Sequence, residues 1–153
     1  MDEAIFKEIA SEIKGLNHQA ITLISQGRLD EAEGICQRAL GITSSLAYDE
    51  GAAMVLYNLA NLEALRGDLL KAMAYGALCK EKHEMAQSDG EGCGKLLAGL
   101  AKTAMKKGME LEKNGALDEA LAYYYASVPF SDEKYSQAMQ KEIALIERAM
   151  SHG

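Results

Sequence analysis

One short phrase occurs three times in this chain, and this repetition constrains the fold more than any single residue does. The copies begin at Gln26, Arg66 and Asn114 and read Gln-Gly-Arg-Leu-Asp-Glu-Ala, Arg-Gly-Asp-Leu-Leu-Lys-Ala and Asn-Gly-Ala-Leu-Asp-Glu-Ala. Each copy places a glycine shortly before an alanine that opens an amphipathic run. Glycine suits the left-handed conformation that ends a helix, because it has no Cβ. The internal repeat therefore predicts a helix-turn-helix hairpin that is used three times.

Composition narrows the class of protein and its partners. The chain has 153 residues, one proline, no tryptophan and a net charge of −7, which favours helix and argues against a nucleic-acid or membrane partner. The acidic start at Met1 does not resemble a signal peptide, and no apolar run approaches the roughly 20 residues that span a bilayer. The three cysteines form no CxxC pair. These features predict a cytoplasmic protein.

Apolar periodicity predicts where the helices lie. Residues recur on one face at three- and four-residue steps, starting with a helix over about 2–26. The glycine-rich stretch 88–94 is the clearest break, after which a fifth helix is expected from about Lys95 to Asn114, with Gly108 tolerated inside it at a cost of roughly 1 kcal/mol. A last helix starts after Ser131. Its predicted apolar stripe, which would cover the end of a repeat array, consists of Tyr135, Met139, Ile143, Ile146 and Met150.

At these positions the chain resembles the tetratricopeptide repeat. The second repeat fits the family pattern best, at Leu56, Leu59, Ala60, Gly67 and Ala72. The first matches at Leu16, Ala20, Leu23, Gly27, Ala32 and Ala39, and the third at Leu111, Gly115, Ala120 and Tyr124.

Some positions depart from the family pattern. Gln19 stands where leucine is expected, Gly76 stands where an aromatic residue is expected, and no repeat ends with proline. The turn glycines are about 40 and then about 48 residues apart, which exceeds the standard period of about 34. The chain therefore looks like a long-repeat variant of about 40 residues per repeat.

The resemblance implies an all-α fold, a right-handed superhelix of three such helix-turn-helix repeats with a C-terminal capping helix. We expect a single domain over 1–153, with repeats over approximately 2–46, 48–87 and 91–127 and the capping helix over 131–151. The first helix of each repeat would line a concave groove that holds a peptide or a segment of a partner protein. The chain is then a non-catalytic protein–protein interaction module.

The family's groove positions, transferred residue by residue, give candidate contacts from each repeat. They are Lys14 and Asn17, then Tyr57, Asn58 and Asn61, and finally Lys102 and Lys106.

Three of these candidates, Asn58, Lys102 and Lys106, coincide with positions that in some members clamp a ligand's terminal carboxylate. The clamp is incomplete here, because Asn17 and Ile21 stand where lysine and asparagine are expected. A second alignment of the third repeat substitutes Lys95 and Gly99. The lysines also fit an ordinary solvated helix face.

Alternative functions stay open. Small secretion-type chaperones are acidic, of similar length and built from three such repeats. A metal- or ligand-dependent sensor would use Cys79, His83 and Cys93, since the first two lie one helical turn apart. No fourth ligand is evident, so the sequence favours structural cysteines and predicts no metal and no cofactor. No Walker loop or nucleophile elbow is present, which argues against an enzyme. An exposed apolar groove would also favour a homodimer.

Overall fold

The computed structural model of the protein describes residues 2–152, and these residues form seven α-helices and one 3₁₀ turn with no strand. The all-α prediction is confirmed. None of the helices in this range has both the length and the apolar composition to cross a membrane. The helices are α1 (Glu3–Ser25), α2 (Leu29–Ser45), α3 (Asp49–Arg66), α4 (Leu69–Ala86), α5 (Glu91–Lys113), α6 (Leu117–Ser127) and α7 (Glu133–His152), with the 3₁₀ turn at Val128–Phe130.

The glycines of the repeated phrase form the predicted turns. Gly27, Gly67 and Gly115 have φ angles of 74°, 85° and 81°, in the left-handed region that a side chain disfavours. Each follows the first helix of a hairpin, and its N–H donates to a carbonyl in the preceding turn, as Gly67 does to Ala64 at 3.1 Å. The three copies therefore form the same helix-ending turn, as the repeated phrase predicted.

The first of two compact units extends to Cys93. Within it α1 packs on α2, α2 on α3, and α3 most extensively on α4. Small alanines let the helices approach closely, and the buried side chains between them form one apolar cluster. The cluster includes Ile13, Leu16, Ala20, Cys36, Ala39, Ala53, Val55, Leu56, Leu59, Cys79 and Cys93.

The second unit begins at Gly94. Its core is built around Tyr124 of α6 and the apolar face of α7, where Met139, Ile143 and Ile146 are buried as predicted. The two ends of the predicted stripe are less covered, since Tyr135 is 40% exposed and Met150 is 39% exposed. The apolar stripe on α7 is therefore buried at its centre and open at both ends.

Helix α5 differs from its prediction at two points. It begins at Glu91 rather than near Lys95, because the carboxylate of Asp89 accepts a hydrogen bond from the Glu91 N–H at 2.9 Å. It continues past Gly108 as expected, but the structure gives this glycine a specific role. A Cβ there would lie 2.8 Å from a ring carbon of Tyr124, so the buried tyrosine requires glycine at this position.

Candidate partner-binding site

Two of the predicted groove residues are buried against each other. Asn17 on α1 and Asn58 on α3 are 5% and 7% exposed, and Asn58 Nδ2 donates to Asn17 Oδ1 at 3.1 Å. The remaining donor, Asn17 Nδ2, is buried with no hydrogen-bond partner. This pair links the first helices of two repeats, so it supports the face on which the other candidates lie.

The other candidates of the first unit are accessible. Lys14 is exposed, Tyr57 is 37% exposed, and Asn61 is half-buried with its amide donating to the Tyr57 carbonyl at 3.2 Å. Lys14 also lines a cavity of about 310 Å³ together with Phe6, whose ring meets that of Tyr48 edge-to-face with centroids 5.0 Å apart. The α1–α3 face therefore offers a cation, aromatic carbons and a free amide oxygen to a partner.

Lys102 and Lys106 lie on α5 in the second unit, and both are exposed. Lys102 lines a small cavity of about 130 Å³ with Phe130 and Tyr135, whereas Lys106 does not. Lys102 therefore sits beside a concave apolar surface.

A larger groove of about 740 Å³ lies between α5 and α7 within the second unit. We call it the methionine groove. Its walls are formed by Met105 and Met109 of α5 and Met139 of α7, and carboxylates of Glu112 and Glu142 also line it. Methionine is flexible and polarizable, so such a wall adapts to apolar side chains of different shapes. Glu110 and Lys113 also line the groove, which therefore combines an adaptable apolar surface with a net negative charge.

In the methionine groove the carboxyl group of Glu112 acts on the carboxyl group of Glu142. This interaction with Glu112, then burial and the negative charge of Glu112, raises the pKa of Glu142. Tyr124 lies below them and donates its hydroxyl to Glu112 at 2.8 Å, and burial followed by this bond raises the pKa of Tyr124. A positively charged group from a partner would favour the ionised form of both carboxyl groups.

Sequence reasoning did not find this groove. Its signal was present, because Met105, Met109 and Glu112 recur at three- and four-residue steps on α5, and Met139 and Glu142 are three apart on α7. Periodicity shows which residues share a face of one helix. It does not show which faces of two helices enclose a groove.

Cys79, His83 and Cys93 lie close together in the first unit. Their ligand atoms are all within 4.8 Å of one another, and Cys79 and Cys93 are joined by a disulfide. The sequence led us to expect structural cysteines, but it did not identify this pair, because spacing alone did not reveal that the loop 87–90 returns the chain to α4. Cys36 is the buried free cysteine.

Comparison with known proteins gives a match to one family. Residues 11–79 match the tetratricopeptide repeat. No curated protein matches the chain.

Proposed function

We propose that the chain, whose residues 11–79 match the tetratricopeptide repeat, is a non-catalytic module that binds a segment of a partner protein on the first helices of its repeats. Tetratricopeptide repeats generally mediate protein–protein interaction, and the family typically provides scaffolds rather than enzymes. The predicted groove residues Lys14, Tyr57 and Asn61 supply contacts in the first unit, and Lys102 and Lys106 do so in the second.

The methionine groove is the observation that carries the proposal. Its apolar wall would bury aliphatic or aromatic side chains, which supplies most of the binding free energy in such interfaces. The Glu112–Glu142 pair would receive a lysine or arginine of the partner, and a hydrogen-bonded cation at a carboxylate is among the stronger polar contacts. The partner segment is therefore apolar with at least one basic residue.

Asn17 and Asn58 have a different role in this proposal. Their mutual hydrogen bond is buried, so they hold α1 against α3 and keep the exposed candidates in place. A substitution at Asn58 would change stability as well as binding. Tests of the α1–α3 face are therefore cleaner at Tyr57 and Asn61.

The test is a selection of random peptides displayed on phage against the full chain. We expect the selected peptides to be rich in apolar residues and to carry lysine or arginine. Their binding should fall in Glu112→Gln/Glu142→Gln, which keeps size and hydrogen bonding but removes the charge. The matched control is Leu78→Ala/Lys80→Gln, which changes two exposed residues of α4.

Three outcomes would count against the proposal in different ways. If no peptide is selected, the proposal that the chain binds a peptide segment is wrong. If the selected peptides bind the glutamine variant and the wild type equally, the interaction lies elsewhere, and Tyr57→Ala/Asn61→Ala then tests the α1–α3 face. If the peptides are acidic, Lys102 and Lys106 become the leading contacts, as the carboxylate-clamp resemblance implies.

Self-association is the competing use of the same apolar surface. A second copy of the chain in the methionine groove would appear as a homodimer. Light scattering at high protein concentration, repeated with the selected peptide present, tests this directly. Dissociation of a dimer by the peptide would place both partners at one surface, whereas a monomer at all concentrations would exclude the homodimer.

A further inference from the structure

Three potential metal ligands converge where the end of α4 meets the start of α5. Cys79 and His83 lie one turn apart on α4 and so share a face of that helix, while Cys93 lies in the first turn of α5. The two sulfurs and a ring nitrogen of His83 are all within 4.8 Å of one another. Their meeting depends on the loop 87–90, which returns the chain to the same face of α4.

We propose that in the reduced protein Cys79, His83 and Cys93 bind a zinc ion, and that the disulfide and the metal are alternative states of one site. Thiolate and imidazole are the ligands that zinc prefers, at about 2.3 Å and 2.0–2.1 Å in tetrahedral geometry. Ligand atoms around such an ion are separated by about 3.3–3.8 Å. A small movement of the ring and separation of the sulfurs on reduction would achieve this, with water as the fourth ligand.

His83 is held in place by the loop. Its Nδ1 is 2.7 Å from the hydroxyl oxygen of Ser88, which leaves Nε2 for the metal. Gly90 packs against the same residue, since a Cβ there would lie 3.3 Å from the Cβ of His83. A histidine ligand is characteristically oriented by a hydrogen bond to its other ring nitrogen. Ser88 is in position to act as this positioning residue.

The surroundings of the sulfurs favour metal binding in one respect and oppose it in another. Cys93 lies at the positive end of the α5 dipole, which stabilises a thiolate. The sulfur of Cys79 is 3.3 Å from the carbonyl oxygen of Ala53, to which a protonated thiol would donate a hydrogen bond. Zinc must therefore displace that proton. Both cysteines are buried, so a bound ion would be shielded from bulk water on the sulfur side.

The two states interconvert by a balanced reaction. Zinc binding to the dithiol releases two protons. Oxidation by hydrogen peroxide forms the sulfur–sulfur bond and releases the ion. The two electrons lost by the thiolates reduce the peroxide, which takes up two protons and leaves as two molecules of water. Reduction by an external dithiol restores the two thiols and the site.

The test is a zinc titration of the full chain after reduction, against a chromophoric chelator and with oxygen excluded. We expect one zinc per chain. Cys79→Ser and His83→Ala should each weaken zinc binding by more than about 100-fold, because each removes a ligand. Ser88→Ala removes only the hydrogen bond that orients His83, so it should weaken zinc binding by about 10–100-fold. The matched controls are Cys36→Ser and His18→Ala, which should bind zinc as the wild type does.

Two further measurements separate metal ligation from folding. Thermal unfolding of each metal-free variant shows whether it remains folded, and cobalt(II) in place of zinc gives the visible absorption of a tetrahedral thiolate site. Addition of hydrogen peroxide should release the zinc and form the 79–93 disulfide in the same proportion. Absence of zinc binding by the reduced wild type, or equal binding by folded His83→Ala, would overturn the proposal.

Discussion

Asn58 donates a hydrogen bond to Asn17 across the contact between α1 and α3, with 3.1 Å between Nδ2 and Oδ1. Both residues are buried, and they come from the first helices of two successive repeats. A buried amide pair of this kind is specific, because a shift of either helix along its axis would leave polar atoms without partners. The bond therefore fixes how the first repeat is placed on the second.

Removing one member of this pair is expected to be costly. In Asn58→Leu the carbonyl oxygen of Asn17 loses its donor while Asn17 Nδ2 already lacks an acceptor. The free energy of unfolding should fall by about 1–3 kcal/mol. The double variant Asn17→Leu/Asn58→Leu leaves no buried amide and should be the more stable of the two. Urea unfolding measures both, and a double variant less stable than the single one would contradict the argument.

A matched pair of glycines on α5 should respond to alanine in opposite directions. At Gly108 a Cβ would lie 2.8 Å from the ring of Tyr124 and 3.3 Å from the carbonyl oxygen of Ala120, so Gly108→Ala should destabilise by about 1–3 kcal/mol despite its better helix propensity. At exposed Gly99 an added Cβ would have no neighbouring side chain or other helix within 4 Å, so Gly99→Ala should stabilise the fold by about 1 kcal/mol. Thermal unfolding distinguishes the two, and equal effects would refute the close contact.

The sequence predicted the helices well because the end of the first helix of each repeat has a local signal. Gly67 and Gly115 end first helices through a backbone conformation that other residues adopt with difficulty, and apolar periodicity marks the helix between two such stops. The one displaced boundary, at Glu91, has the same kind of cause. The nearby glycines outweighed Asp89 in the prediction, although its carboxylate is a sufficient cap.

The candidate site was less predictable because it depends on pairs of helices. Periodicity placed Asn58 on a face of α3, but it did not reveal that Asn17 lies opposite and occupies its amide. For the same reason the sequence predicts Gly108 only as a tolerated interior glycine and does not reveal that the ring of Tyr124 reaches it from another helix. The family's groove positions describe the exposed cations on α5. They do not describe the effect of Glu112 on the pKa of Glu142.

The thiol of Cys36 is expected to react slowly in the folded chain. Burial, and secondarily the charge of Glu33, raises its pKa to about 11 from 9.0. The thiolate fraction at pH 8 is then lower by about 100-fold in the folded than in the unfolded protein. Alkylation with iodoacetamide, followed by mass spectrometry of the Cys36 peptide, should be far slower in buffer than in urea. Equal rates would show that the thiol is accessible.

The same shift predicts a loss of stability in alkali. Above pH 9 the unfolded chain releases the Cys36 proton while the folded chain retains it, so the contribution to stability is present below pH 9 and lost towards pH 11. Other groups titrate in this range, and Cys36→Ala isolates the effect. Its urea midpoint should fall less than that of the wild type between pH 9 and 11.

Glu142 should make stability depend on pH above pH 4.5 in the opposite sense to most carboxylates. Its unfolded value is near 4.5, and the hydrogen bond with Glu112 raises the folded pKa above it. A raised carboxyl stabilises the fold while protonated, so its contribution is full below pH 4.5 and lost as the pH rises through the folded value. In Glu142→Gln the amide donates to Glu112 at every pH. This variant should be as stable as the wild type near pH 4 and more stable than the wild type at pH 7.

Urea unfolding at a series of pH values measures this difference, with exposed Glu8→Gln on α1 as the control that should show none. The same titration bears on binding. A lysine or arginine of a partner favours the ionised pair, so a basic peptide in the methionine groove should bind more tightly as the pH rises from 4.5 towards 7. Affinity that is constant over this range, or that falls, would show that the peptide does not contact Glu142.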